Sequence, residues 1–291
     1  MPVQAPDKSK EIVDKTLAAI GDIATLPEVT IKIIEIVEDP KSTARDLHAV
    51  IKNDPALSVK VLKVVNSAFY GLPGQVASVD RAIILLGLSA VKNIAIAASI
   101  ARLFKGKRIS EHFSAADLWR HNVAVSVAAK SIAKCSPHPV MPDEIFVAGL
   151  IHDLGLLIER QAFPDHFSQI IDRCSNSGES FIAVELETIG ADHQAFGAGL
   201  ATKWKFPRHL RAAVGFHHNP ESLSQEVKGM GTVIQVADVL CSNEKLGFYL
   251  TGVGGEITDE AIDLLGITRE QLEEIRETLP SQVADAEVAL K

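Results

Sequence analysis

Ten histidines occur in the 291-residue chain, and only His48 precedes residue 112, so any imidazole chemistry belongs to the second half. Five of them, His121, His152, His193, His217 and His218, alternate with the carboxylates Asp153 and Asp238 at gaps of 31, 40, 24 and 20 residues. Taken singly, a histidine on an apolar stripe is a core imidazole satisfied by a hydrogen bond. The His152-Asp153 pair alone carries little, since about 0.6 such dipeptides arise by chance at this composition. The whole set reads differently. Four or five imidazoles and two carboxylates cannot share a helical core without a compensating charge, and a divalent cation supplies one. Mixed nitrogen and oxygen donors with no thiolate nearby suit Fe, Mn, Ni, Co or Zn, with one ion or two.

Helical spacing is what would bring these residues together. His121 shares a face with Leu118, Val125 and Ala128, and His193 aligns with Phe196, Leu200 and Trp204. His217 follows Leu210 and Val214, and Asp238 follows Ile234. Around them the chain reads as helix after helix. Thr25 to Glu28 has capping-box spacing ahead of an apolar run that Asp39-Pro40 stops, and a second helix starts near Thr43. Asp54-Pro55 is an N-cap with proline at the first helical position, and Ser78 opens a helix that ends at Gly87. Ser114 to Asp117 opens the helix of His121 after a polar hinge at residues 105–108. Further helices are expected over 143–154, 165–176, 180–189, 193–205, 208–218 and 228–242, placing His152-Asp153 and His217-His218 inside helices. A helical appendage follows Gly255.

Composition excludes several classes. Hydrophobic residues at 47% and charged residues at 23% are globular values, and 13 prolines with 19 glycines are too few for a many-stranded sandwich or barrel. The net charge of −8 provides no general positive field for nucleic acid or an anionic membrane. Cys135, Cys174 and Cys241 are odd in number and far apart, which fits a reducing cytoplasm and no disulfide framework. The polar N-terminus lacks the apolar region of a secretory signal. Residues 82–101 are long and apolar enough to span a bilayer, but Gly87-Leu88-Ser89 reads as the junction of two short buried helices, and Lys92-Asn93 would lie near the bilayer centre.

The chain resembles the HD superfamily of metal-dependent phosphohydrolases, and more closely its HDOD branch, the HD-related output domains of bacterial signalling. The resemblance covers roughly residues 25 to 240. LPEV, NDPALSVKVLKVVNSAFYG and SVDRAIILLGLSAVKNIAI look like the N-terminal helical part of that family. WRHNVAVSVAA, FVAGLIHDLG, HQAFGAGLATKWKFPRHLRAAVGFHH and VIQVAD look like its HD-like part. The resemblance implies an all-α fold in which an HD-like helical domain (111–250, then an appendage over 251–291) packs with an N-terminal helical subdomain (1–110). It also implies that His121, His152, Asp153 and Asp238 hold a first metal, that Asp153 bridges to a second and is the catalytic carboxylate of an active member, and that His193, His217 and His218 complete a binuclear site. The chain departs from the related HD-GYP phosphodiesterases at two points. Leu156 stands where they carry a lysine, and HHNPESLSQEV lacks their Gly-Tyr-Pro stretch.

Other residues fit plainer roles. Asp117 reads as the capping partner of Ser114, and Asn66 as a buried amide satisfied by backbone. Lys203, Lys205, Arg208 and Arg211 read as the solvated ends of two helices, with a phosphate-holding cluster as the alternative. His48, His112, His138, His166 and His209 read as surface histidines. Two functions are therefore expected: a signalling output module that binds a partner protein, or a metal-dependent phosphohydrolase acting on a phosphate-containing small molecule. Neither involves nucleic acid or a membrane.

Overall fold

The computed structural model describes residues 8–21, 28–39, 41–67, 70, 72–104, 108, 110–138 and 142–290. Thr25 of the expected first capping box, Pro40, and most of the expected hinge over 105–108 lie outside the described residues.

Punctuation in the sequence sets the helices of the first half. These are α1 (Lys8–Ala19), α2 (Glu28–Glu38), α3 (Ala44–Lys52), α4 (Pro55–Val65), α5 (Val79–Leu86) and α6 (Leu88–Ile100). The Asp46 carboxylate accepts from the Thr43 backbone N–H at the head of α3. Asp54 caps α4 by accepting from the Leu57 N–H at 3.0 Å, and Ser78 caps α5 by accepting from the Arg81 N–H at 3.2 Å. Gly87, at φ +89°, turns α5 into α6, so the apolar run is two helices as its sequence implies. Among the described residues no helix is long and apolar enough to cross a membrane. Asn66 is exposed rather than buried, yet its amide donates to the Leu62 and Val76 carbonyls and accepts from the Val76 N–H, which ties down the chain beyond α4.

The second half continues with α7 (Ala115–Cys135), α8 (Pro142–Ile151), α9 (Leu154–Ala162), α10 (Pro164–Ser177) and α11 (Phe181–Thr188). It closes with α12 (His193–Lys203), α13 (Arg208–Phe216), α14 (Gln225–Asn243), α15 (Asp259–Leu265) and α16 (Arg269–Leu290). No strand occurs among the described residues, only one isolated bridge between Ser110 and Phe113. Helix α7 is the axis of the molecule: residues 121–130 are all buried, and α8, α14 and α16 pack around it. Helix α6, itself almost wholly buried, joins α2, α4 and α5 to α8, while α1 lies on α12. One continuous apolar core results, and α16 contributes Leu279, Val283 and Ala286 to it.

Two expected helices end before the histidines assigned to them, and α1 and α9 are helices that the spacing does not predict. The first stops at Ile151 and α9 begins at Leu154, so His152-Asp153 occupies a turn. The second ends at Phe216, leaving His217 as its C-cap and His218 beyond it. Every residue from Ile145 to Glu159 is buried, so no polar face exists to reveal the break.

Candidate metal centre

Helix ends aim most of the donors. His193 is the first residue of α12, whose N-cap Asp192 accepts from the Ala195 N–H at 2.8 Å. His217 and His218 follow α13, His152-Asp153 sit between α8 and α9, and His121 and Asp238 project from the middle of α7 and α14. All seven residues expected from the sequence meet in one cluster.

In four of the five imidazoles the outer nitrogen is committed elsewhere. His121 Nδ1 faces the Leu246 carbonyl at 3.2 Å, His152 Nδ1 that of Gly149 at 2.7 Å and His217 Nδ1 that of Val214 at 3.0 Å. His193 Nδ1 lies 2.9 Å from both oxygens of Glu185. In the neutral ring these acceptors place the proton on Nδ1 and leave the Nε2 lone pair free.

The inner nitrogens then face only other acceptors. His193 Nε2 lies 3.3 Å from His217 Nε2 and 3.1 Å from His218 Nε2. Asp153 divides its oxygens: Oδ1 lies 3.6 Å from His193 Nε2 and 3.5 Å from His217 Nε2. Its Oδ2 lies 3.4 Å from His152 Nε2 and 4.0 Å from His121 Nε2. His121 Nε2 is also 3.0 Å from Asp238 Oδ1. His152 Nε2, both Asp153 oxygens and Asp238 Oδ2 are buried with no hydrogen-bond partner.

Lone pairs converging without a donor repel one another, and a cation between them resolves the conflict. Ligands at about 2.0–2.2 Å from a common ion stand roughly 3.0–3.5 Å apart, close to the 3.0–4.0 Å spacing of these atoms. The residues therefore fit a metal. They form two groups, Asp153 with His193, His217 and His218, and Asp153 with His121 and His152, so Asp153 is common to both.

The electrostatics follow the same arrangement. Burial would raise the Asp153 carboxyl, but His152, His217 and His193 outweigh it and hold it well below the usual carboxylate range. Asp238 is likewise held low against burial, chiefly by His121. Burial lowers His217, and burial with the neighbouring His217 and His193 lowers His218 much further. His152 moves the other way, because Asp153 overcomes the effect of burial.

The centre is closed. His121, His152, Asp153, His193 and His217 are 0% exposed and Asp238 1%, while the side chain of His218 keeps 13%. The segment after α14 crosses over it: Phe248 N–H donates to the Asp117 carbonyl, and Gly247, at φ +82°, lies so close that a Cβ would stand 2.4 Å from His121 N. Phe248 stacks edge-on against Phe113 and Phe181, and Phe181 against His193.

The remaining expectations resolve one by one. Asp117 is a cap, its carboxylate accepting from the Ser114 hydroxyl at 2.6 Å. Lys203 donates to the Leu17 carbonyl and Arg208 pairs with Glu226, so neither is free for a phosphate. Lys205 is exposed, and Arg211 Nε is buried without a partner. Among the five other histidines, His112, His138 and His166 are exposed, whereas His48 and His209 are half-buried beside Asp80 and Glu144. Leu156 is fully buried. Sequence reasoning missed Glu185 and Glu159, both 0% exposed. The available signal was a carboxylate at position 185 one turn after Phe181 on the apolar face of α11.

Fold and centre together define an all-α protein with a buried histidine and aspartate cluster. The family model of the HDOD domain matches residues 23–220, and the chain belongs to that family. An uncharacterized protein of Treponema pallidum (strain Nichols) is 26% identical over 222 residues, which are 76% of this chain and 42% of that protein. The chain thus spans less than half the length of that curated relative. Among solved structures, an HDOD domain protein of unknown function from Geobacter sulfurreducens has a TM-score of 0.82 at 21% identity, over 97% of this chain and 98% of its own. A protein of Marinobacter aquaeolei VT8, assigned provisionally to signal transduction, has a TM-score of 0.78 at 22% identity, over 99% and 67%. One from Shewanella amazonensis SB2B, assigned provisionally as a phosphohydrolase, has 0.73 at 23% identity, over 96% and 98%. These structures share the fold.

Proposed function

We propose that the chain is a signal-transduction output module whose metal centre braces the helices, and that it acts by binding a partner protein. The closure of the centre carries this reading. A phosphoester must touch a metal to be hydrolysed there, and His218 is the one ligand residue with more than a trace of exposed surface. Leu156 is apolar and buried, and two of the four cations of the expected phosphate-holding cluster, Lys203 and Arg208, are engaged elsewhere. The signal-transduction assignment of the Marinobacter protein points the same way.

A second reading, a metal-dependent phosphohydrolase acting on a phosphomonoester, nucleotide or cyclic nucleotide, is favoured by one observation. Asp153 belongs to both ligand groups, as a two-metal phosphoesterase requires. A bound metal pair would supply electrostatic stabilisation to the attacking and leaving oxygens. Metal analysis of the purified chain, followed by a panel of phosphatase and phosphodiesterase substrates with added Mn or Fe, separates the two. Bound metal without turnover supports the first reading, and metal-dependent turnover that vanishes in Asp153→Ala supports the second.

A further inference from the structure

Behind His193 lie two buried carboxyl groups that are not among its metal-facing neighbours. Glu185 on α11 and Glu159 on α9 are both 0% exposed. Glu185 receives the Nδ1–H of His193 at 2.9 Å, and neither oxygen of Glu159 meets a donor. The group facing Glu159 is Glu185 itself. Two carboxylates in contact are both pure acceptors, so the contact holds only if one of them carries a proton. Burial, then the charge of Glu185, pushes Glu159 well above the usual carboxylate range. Of the two, only Glu185 is reached by a donor, the His193 Nδ1–H at 2.9 Å, and that bond needs a carboxylate to accept it. The proton therefore belongs on Glu159. Its O–H donates to the Glu185 carboxylate, which accepts the His193 Nδ1–H on the other side.

We propose that Glu185 and Glu159 are positioning residues of the metal centre: they hold His193 in the tautomer whose Nε2 lone pair faces Asp153, His217 and His218, and so set metal affinity without touching the ion. This rests on the metal-centre reading above. Partners of this kind on a ligating histidine typically change metal affinity about 10–100-fold when removed. The contact is rigid because α9, which carries Glu159, is locked against α12 where Gly155 meets His193.

The test uses the full chain, with Zn²⁺ affinity measured against a chromophoric chelator and the His193 tautomer read by long-range ¹H–¹⁵N NMR in metal-free protein. Wild type is expected to show Nδ1–H at His193. Glu185→Gln should weaken Zn²⁺ binding about 10–100-fold and mix the tautomers. Glu159→Met should weaken it in the same direction, whereas Glu159→Gln, whose amide N–H replaces the acid O–H, should keep wild-type affinity. Unchanged affinity in Glu185→Gln or Glu159→Met, or an Nε2–H tautomer in wild type, overturns the proposal. A purely structural role would lower melting temperatures in EDTA while leaving affinity and tautomer alone. Should Glu185→Gln not fold, the contrast between the two Glu159 variants decides. Should wild type bind no Zn²⁺, the metal-centre reading falls, and the tautomer still decides the positioning claim.

Discussion

Gly155 lies so close to the start of α12 that a Cβ on it would stand 1.8 Å from the His193 carbonyl oxygen and 2.6 Å from its carbonyl carbon. This contact joins the segment bearing His152-Asp153 to the helix bearing His193, which are far apart in sequence. It gives a physical reason for glycine two residues after Asp153: α9 can then approach α12 closely enough for Asp153 to meet His193.

Replacing Gly155 with alanine should therefore damage fold and centre together. The obstacle is backbone, which cannot swing aside as a long side chain would, so a loss of about 1–3 kcal/mol or more is expected. Chemical denaturation and metal analysis of Gly155→Ala check this. A variant as stable as wild type with its full metal content would contradict the closeness of the contact.

Asp153→Ala should remove metal from both ligand groups, because its oxygens are divided between them. Wild type in metal at a hundredfold excess over Kd should gain about 2.7 kcal/mol over protein in EDTA, because the ion binds the native state. The variant should show no such gain in thermal melts. Undiminished metal content in purified Asp153→Ala would refute the assignment.

Stability of the metal-free protein should carry a pH signature from Glu159. Its native pKa lies above its unfolded value, so the native state keeps a proton that the unfolded chain releases. Its stabilising contribution is complete below the unfolded value, and is lost as pH rises toward the native one, at about 1.4 kcal/mol per unit. Glu159→Gln has no proton to lose. Measured in EDTA, its advantage over wild type should grow from pH 4.5 to pH 8. A difference independent of pH would show that Glu159 is ionised in the native state.

Turnover of cyclic dinucleotides should be undetectable even with Mn or Fe bound. Losing one electrostatic donor typically costs about 10²–10³ in rate, and Leu156 stands where the resemblance to HD-GYP phosphodiesterases would put a lysine. A metal-dependent rate of about 1 s⁻¹, lost in His152→Ala, would reverse the preference between the two readings.

How far the sequence could be read depends on the element. His121 and Asp238 lie within α7 and α14, regular helices whose apolar stripes repeat at the helical period, so spacing aims them correctly. Asp117 is legible for a related reason, because a serine three residues earlier at a helix start is a local signal. Spacing fails at His152-Asp153 and His217-His218, which lie where helices end rather than on them. Around His152-Asp153 every residue from Ile145 to Glu159 is buried, and a periodicity argument needs a polar face to work against.

The sequence by itself determined the all-helical architecture and named the seven histidines and aspartates that the fold gathers in one cluster. Only the tertiary structure decided which ring nitrogen each histidine turns inward, because Gly149, Val214 and Leu246 receive the outer nitrogens through backbone carbonyls. A carbonyl is the same at every residue, so its role comes solely from where the fold places it. The same holds for the burial of Glu159 against Glu185 and for the segment that closes over His121. Each depends on contacts between helices distant in the chain, and a local pattern of residue types carries no record of them.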